Sequence, residues 1–274
     1  MTHFSSVQDP SEVGRVGWQA LIPREHGAYV ELVFPLVTAL GLGRVNFAQL
    51  LLAIATVAVF LAHEPILVLA GERGRRALGH FKHQAASLAI VLLVVAVATG
   101  AVGWWNAPPI ARATLVLPLI FAALLIPLIL SHREKTLAGE LLVAFTFSSA
   151  LIPIAMAGDV APRIAVTAGA VWAGIFLLET LTVRGVRASR KENITAEGSF
   201  LASLVGGVMG ILAAIVITMA GALPVLAGAA IVPAALVALT CALARVHARQ
   251  LRTLGWSLAA SNVVALAALL SVFR

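Results

Sequence analysis

Long apolar runs recur along the whole chain, and short polar segments separate them. A helix needs roughly 20 mostly apolar residues to cross a bilayer core of about 30 Å. Measured with this length, the pattern predicts nine membrane-spanning helices with short connections. They cover approximately residues 27–44, 47–70, 84–104, 112–131, 138–157, 161–182, 199–220, 224–243 and 253–273. The predicted fold is therefore all-α, a polytopic membrane bundle of about nine transmembrane helices.

Composition agrees with this pattern. Apolar residues make up 61 % of the chain and charged residues only 11 %, whereas soluble globular proteins have about 25 % charged residues. Residues 1–22 contain charges and no apolar core, so we interpret them as a cytoplasmic N-terminal segment and not as a cleaved signal peptide. Residues 23–274 are predicted to form a single transmembrane helical domain, because the connections are too short to hold another one.

Lysine and arginine are distributed unevenly between the two predicted sides of the membrane. Fifteen of them share one side: Arg15, Arg24, Arg73, Arg75, Arg76, Lys82, Arg133, Lys135, Arg184, Arg187, Arg190, Lys191, Arg245, Arg249 and Arg252. The other side has Arg44, Arg112, Arg163 and Arg274. The positive-inside rule then places the N-terminus in the cytoplasm and the C-terminus outside. Because this asymmetry explains the net charge of +7, the predicted partner is the lipid bilayer and not nucleic acid.

Several ionisable residues lie within or next to the predicted spans, near the cytoplasmic ends of spans 1, 2, 5 and 6. The candidates are Arg24, Glu25, His26, Glu31, His63, Glu64, Glu140 and Glu179. Such residues are costly in a membrane, by about 2.5–3.5 kcal/mol on insertion scales, and usually face a cavity or a partner. Their common depth predicts a shared cavity. In the alternative interpretation, the carboxylates only pair with nearby cations and hold the helices together. No metal site is predicted, because His80 and His83 lack a third ligand.

Four segments carry a resemblance to known families: "PREHGAYVELVFP", "LAHEPILVLAGERGRR", "HREKTLAGELLVAF" and "RTLGWSL". Together they resemble the YwiC-like family of bacterial membrane proteins, which implies a bacterial plasma membrane and brings no function with it. More distantly, the layout is similar to the UbiA superfamily of intramembrane prenyltransferases. These have nine helices and place their active-site motifs on cytoplasmic loops after spans 2 and 6. The resemblance implies a UbiA-like arrangement of the bundle.

The departures from the UbiA pattern concern the metal site. Those enzymes use Asp-rich clusters to hold Mg²⁺ that bridges to a prenyl diphosphate. Here the first motif keeps Glu64, beside His63, and the second keeps Glu179, while Val186 and Arg190 fall near the other acidic positions. Mg²⁺ is therefore disfavoured, and the cofactor is unknown.

Basic residues in place of acidic ones predict direct binding of an anion. The segment "LLETLTVRGVRASRK" has four cations within eight residues, and Glu179 lies one to two turns deeper. Charge-assisted hydrogen bonds from such cations hold phosphate or carboxylate without a metal. The predicted ligand-binding residues are Arg24, His26, Glu31, Arg73, Lys135, Glu140, Arg184, Arg187 and Lys191.

Three functional hypotheses follow. In the first, the protein binds an amphipathic anionic ligand, such as an isoprenoid, a quinone or a phospholipid, in a cytoplasmic-side cavity. If it is an enzyme, the resemblance implies a metal-independent UbiA-like transferase, with Glu64, Glu179 or His63 as acid or base. In the second, it is a proton-coupled small-molecule transporter, although no inverted repeat is evident. In the third, it is an accessory or assembly subunit of a membrane complex whose polar residues only pack.

Overall fold

The computed structural model of the chain describes residues 21–23, 26–188, 201, 204–212 and 225–273, and for His26, Val225, Leu226 and Phe273 it describes the backbone alone. Within these residues the regular elements are helices. We number them α1 (His26–Leu42), α2 (Phe47–Leu69), α3 (Arg75–Asn106), α4 (Pro109–Thr114), α5 (Val116–Leu130), α6 (Leu137–Ala157), α7 (Pro162–Ala188), α8 (Val225–Ala229), α9 (Val232–Leu243) and α10 (Leu251–Phe273).

Six helices in the described residues are long and apolar enough to cross a membrane. These are Phe47–Leu69, Arg75–Asn106, Pro109–Leu130, Leu137–Ala157, Pro162–Ala188 and Ala248–Val272. The shorter apolar helices Gly27–Leu42 and Ala227–Leu243 coincide with the first and eighth predicted spans. The seventh, 199–220, lies largely outside the described residues, although 204–212 are helical. The all-α, multi-pass membrane class is confirmed, and the number of nine spans stays a prediction.

Some helix boundaries differ from the predicted spans, and the sequence explains why. Helix α3 begins at Arg75, well before residue 84, because the polar stretch before its apolar part is helical as well. The fourth predicted span is divided at Leu115 into α4 and α5. Pro118 has no N–H to donate to the carbonyl of Thr114, which is the residue at which α4 ends. Hydropathy alone predicts neither the polar first turns of α3 nor the division between α4 and α5.

Helix α6 lies at the centre of the bundle and packs against α1, α2, α4, α5 and α7. Its second half is almost wholly buried, from Phe147 to Ala157. Helices α3 and α5, in contrast, leave most of their apolar side chains exposed, as Val97, Leu119 and Leu130 illustrate. Apolar side chains on an outer surface of this extent are typical of helices in contact with lipid. The bundle therefore has a buried centre and a lipid-facing periphery.

The buried side chain of Trp172 on α7 joins this helix to α1. The indole Nε1 of Trp172 donates to the hydroxyl of Thr38 at 2.9 Å. Trp172 also stacks on Phe176, with 5.5 Å between ring centroids, and packs against Phe34 on α1. Trp172 and Phe176 are among the largest fully buried side chains. This contact holds the two helices in one antiparallel register, which positions the polar residues farther along both helices.

Candidate functional site

Most of the predicted site residues lie at one end of the bundle, which we call the basic face. It consists of the α2–α3 connection (70–74), the α5–α6 connection (131–136), the last turns of α7 (184–188) and the α9–α10 connection (244–250). Helices α2 and α5 both end there with the last turn closed by backbone hydrogen bonds: Glu72 N–H donates to Leu67 and Arg133 N–H donates to Leu128. Gly71 and His132 occupy the positive-φ position of these endings, with φ of 81° and 56°.

Glu64 and Arg73 form a two-pronged ion pair at the end of α2. The Nε and Nη2 atoms of Arg73 each donate to one carboxylate oxygen of Glu64 at 2.6 Å. The Glu64 side chain is 7 % exposed and that of Arg73 27 % exposed. Such a parallel arrangement is the strongest geometry an arginine and a carboxylate can adopt. Glu64 and Arg73, which are both predicted site residues, are therefore partners of each other.

Two further pairs join the α5–α6 connection to the end of α2. The Nδ1 atom of His132 lies 2.9 Å from a carboxylate oxygen of Glu72. The Nε2 atom of His63 lies 3.8 Å from a carboxylate oxygen of Glu134, beyond hydrogen-bond distance. His132 adopts its positive φ in the same connection, a conformation that costs a non-glycine residue about 1 kcal/mol or more. The contact with Glu72 gives this strained residue a structural role.

A fourth pair links α6 to α7. The Nη1 atom of Arg184 donates to a carboxylate oxygen of Glu140 at 2.8 Å and reaches the backbone carbonyl of Lys135 at 3.4 Å. Both side chains are about one third exposed, so the pair contributes little to stability. Its effect is to place the end of α7 next to the α5–α6 connection. The basic face and the adjoining turns of α2 and α6 thus bring together His63, Glu64, Arg73, Lys135, Glu140 and Arg184.

Arg187 lies elsewhere on the basic face, at a cavity. A space of about 660 Å³ is lined by Arg187, His247, Ala248, Arg249 and Leu251. A second space of about 510 Å³ adjoins it and shares His247 and Arg249, and Arg245 also lines it. Every ionisable side chain that lines either space, within the described residues, is basic. We call the two spaces together the basic cavity.

Glu31 and Glu179 lie on the neighbouring helices α1 and α7, and both residues are half-buried. Thr38 of α1 contacts Trp172 of α7. Glu31 lies seven residues before Thr38, and Glu179 lies seven residues after Trp172. Because the two helices are antiparallel, both glutamates are displaced from the contact in the same direction, by about 10 Å along the helix axes. The Glu179 carboxyl lies within electrostatic range of Glu31 and next to the side-chain amide of Asn262 on α10. We call these three residues the acid–amide cluster.

Atoms of this cluster are buried without a hydrogen bond. Asn262 is fully buried, and neither its Oδ1 nor its Nδ2 has a hydrogen-bond partner in the structure, nor does Oε1 of Glu179. The side-chain amide of Asn262 is the polar group next to the Glu179 carboxyl.

Sequence reasoning missed several of these residues. Asn262 is uncharged and is therefore not selected among the ionisable residues, although the polar pair Ser261–Asn262 interrupts an otherwise apolar run and is a detectable signal. In the sequence, Arg245 and Arg249 indicate membrane orientation, and no pattern singles out His247. Glu72, His132 and Glu134 are short-range neighbours of predicted residues, but no periodicity indicates that two separate connections meet.

Three predicted residues lie beyond what the structure describes. Arg24 and Lys191 fall outside the described residues, and for His26 only the backbone is described. Among the residues that are described, no group of three or more His, Cys, Asp or Glu side chains is arranged to hold a metal ion.

Comparison with known proteins relates part of the chain to a protein family. Residues 22–155 match the family model described as YwiC-like protein. No curated protein and no solved structure matches the chain. The matched residues include the α2–α3 and α5–α6 connections, and therefore the ion pairs of Glu64 with Arg73 and of Glu72 with His132.

Proposed function

We propose that this YwiC-like, multi-pass membrane protein binds an amphipathic anionic ligand, with the anionic head in the basic cavity and the apolar tail along the neighbouring helices. The observation that carries the proposal is the lining of the cavity, where Arg187, Arg245, His247 and Arg249 come together without an acidic side chain among the described lining residues. Each of its two spaces, of about 660 and 510 Å³, has a volume in the range of small-molecule sites, about 300–1,000 Å³.

Helix geometry supports an anion at this position. Leu251, the first residue of α10, lines the cavity, and the N-terminus of a helix carries partial positive charge that favours an anion. Arg245 is held with φ of 46° just after the end of α9. The arginines come from two separate parts of the chain, α7 and the α9–α10 connection, so their proximity is a property of the fold and not of one basic segment.

Two of the predicted ligand-binding arginines already have acidic partners. Arg184 and Arg73 are engaged with Glu140 and Glu64, so Arg187 and Arg249 are the better candidates for ligand contact. The resemblance to the UbiA superfamily adds an isoprenoid diphosphate to the candidate ligands, and we propose the UbiA-like arrangement with it. The cytoplasmic location of the basic face is likewise part of the proposal, since it rests on the positive-inside rule.

Native mass spectrometry tests this function. Delipidated protein is titrated with farnesyl diphosphate in one series and with phosphatidylglycerol in another, and the fraction carrying the added mass is recorded. We expect wild-type protein to bind at least one probe and the double variant Arg187→Glu/Arg249→Glu to bind it about a hundredfold more weakly. Hydrogen bonds to charged groups contribute about 1.5–3 kcal/mol each, and 1.4 kcal/mol is a factor of ten in affinity.

The matched control is Arg75→Glu/Arg76→Glu. These arginines are exposed at the start of α3, do not line the cavity, and give the same change in net charge. Equal loss of binding in both double variants would mean that only the overall charge matters, and absence of binding to wild-type protein would refute the proposal directly.

A further inference from the structure

The two spaces of the basic cavity each have an arginine of their own. Arg187 lines only the larger space and Arg245 only the smaller one, while His247 and Arg249 line both. A single phosphate has ample room in either space alone, because each space has the volume of a whole small-molecule site. The division into two spaces therefore favours a ligand head with two anionic groups.

An apolar cluster next to the cavity holds these cations in place. Buried side chains of α7, α9 and α10 form it: Val186, Cys241, Leu254 and Leu258. Val246 and Leu251 pack against the same cluster, and each of them also lines one of the two spaces. Helix α7 contacts the turn Ala248–Gln250 as well. The cations of α7 and of the α9–α10 connection are thus brought together by apolar packing, against the repulsion of their charges.

Arg245 has a backbone conformation that suits glycine. Its φ of 46° lies in the left-handed region, directly after α9, where the N–H of Val246 donates to the carbonyl of Cys241. Glycine is the usual residue at such a helix ending, and a side chain there costs conformational free energy. An arginine in a strained conformation points to a use for its side chain, and this side chain lines the smaller space.

The positive charge of the cavity exceeds what one phosphodiester neutralises. Arg187, Arg245 and Arg249 carry three positive charges, and no acidic side chain among the described residues lines the cavity with them. A phosphodiester has a single negative charge, so two of them leave a smaller excess than one. Basic pockets between membrane helices are known to bind lipid headgroups with more than one phosphate.

His247 offers a further hydrogen-bond donor between the two arginines. The backbone N–H of Arg249 donates to its Nδ1 atom at 3.2 Å, so the neutral ring carries its proton on Nε2. Because His247 lines both spaces, this N–H is placed to bind a ligand that extends from one space into the other.

From these observations we propose that the basic cavity binds a phospholipid with two separate phosphodiester groups, of the diphosphatidylglycerol (cardiolipin) type. Arg187 binds one phosphate and Arg245 the other. A diphosphate is a poorer match, because its two phosphorus atoms share one oxygen and its head fits within one space. Leu243 and Trp256, on either side of the α9–α10 connection, are exposed apolar side chains available to the acyl chains. Because the same cavity is involved, the inference rests on the proposed function.

Native mass spectrometry of the delipidated full-length protein tests the inference with two probes. Tetraoleoyl cardiolipin has two phosphates and dioleoyl phosphatidylglycerol has one. We expect wild-type protein to bind one cardiolipin molecule at least about tenfold more tightly than one phosphatidylglycerol molecule, because a second charge-assisted contact adds to the first. The ratio of the two affinities is the quantity to compare among variants.

Two single substitutions should each bring this ratio close to unity. Arg187→Gln removes the arginine of the larger space. Arg245→Gly removes that of the smaller space and leaves a residue that suits the positive φ, so a lost preference cannot result from backbone strain. The matched control is Arg75→Gln, which removes one positive charge from an exposed position outside the cavity and should keep the ratio.

Three results would each overturn the inference: a wild-type ratio near unity, a ratio that both cavity variants keep, and an equal fall in Arg75→Gln. The proposed function would survive a wild-type ratio near unity if phosphatidylglycerol or farnesyl diphosphate still bound and Arg187→Glu/Arg249→Glu weakened that binding. Absence of binding of cardiolipin, phosphatidylglycerol and farnesyl diphosphate to wild-type protein would refute both.

Discussion

Arg73→Met is expected to lower the free energy of unfolding by about 3–5 kcal/mol, the cost of removing one partner of a buried ion pair. The Glu64 carboxylate, 7 % exposed, would lose both of the donors that bind its two oxygens. Glu64→Leu should cost less, because Arg73 is 27 % exposed and its long side chain can turn its charged end toward water. Unfolding in mixed detergent, monitored by circular dichroism, measures both changes.

The double variant Glu64→Leu/Arg73→Met separates a structural pair from a ligand-binding one. Replacing both partners by apolar residues of similar size leaves no buried charge, so stability should return to within about 1 kcal/mol of wild type. If the double variant also binds the farnesyl or phosphatidylglycerol probe normally, Glu64 and Arg73 are structural partners. Arg76→Met is the control, since Arg76 is exposed on the same face and such substitutions usually change stability by less than about 0.5 kcal/mol. An equal loss in Arg73→Met and Arg76→Met would contradict the expectation.

The helices could be predicted from the sequence wherever a helix begins and ends at the same residues as an apolar run. Helices α2 and α6 begin and end within about a residue of the predicted spans, because a polar N-cap and a polar connection bound each apolar run: Asn46 caps α2 and Thr136 caps α6. The start of α3 was not predictable in this way, since its first turns are polar and helical at once. Hydropathy reports what enters the lipid and not where the hydrogen-bonded helix begins.

The candidate site was predictable in its residue types but not in its pairing. Low charge content makes each carboxylate stand out, so Glu31, Glu64, Glu140 and Glu179 could be selected from the sequence alone. Which of them acquires a partner depends on the rotation and register of antiparallel helices, and no local pattern encodes these. The contact of Trp172 with Thr38 joins α1 and α7 in one such register, and the Glu179 carboxyl lies beside Asn262 of α10.

Gly139→Ala is expected to destabilise the protein by about 1–3 kcal/mol, the usual cost of forcing an extra carbon into a packed site. Gly139 is buried in the first turn of α6, where a β-carbon would overlap the backbone carbonyl of Glu134. Backbone cannot turn aside as a long side chain can, so the α5–α6 connection must move. The hydrogen bonds from Thr136 N–H to Arg133 and from Glu140 N–H to Thr136 close this segment and should weaken with it.

The consequence extends to the basic face, because the displaced segment carries Glu134 and the Lys135 carbonyl that Arg184 contacts. Hydrogen exchange should therefore increase at residues 134–140 in Gly139→Ala, while the amides of α10 keep their protection. Gly79→Ala is the matched control: nothing lies within 4 Å of a β-carbon there, and alanine in an exposed helix is favoured over glycine by about 1 kcal/mol. The two alanine variants should thus shift stability in opposite directions, and a stable Gly139→Ala protein with unchanged exchange would show that this connection is not packed as tightly as the overlap requires.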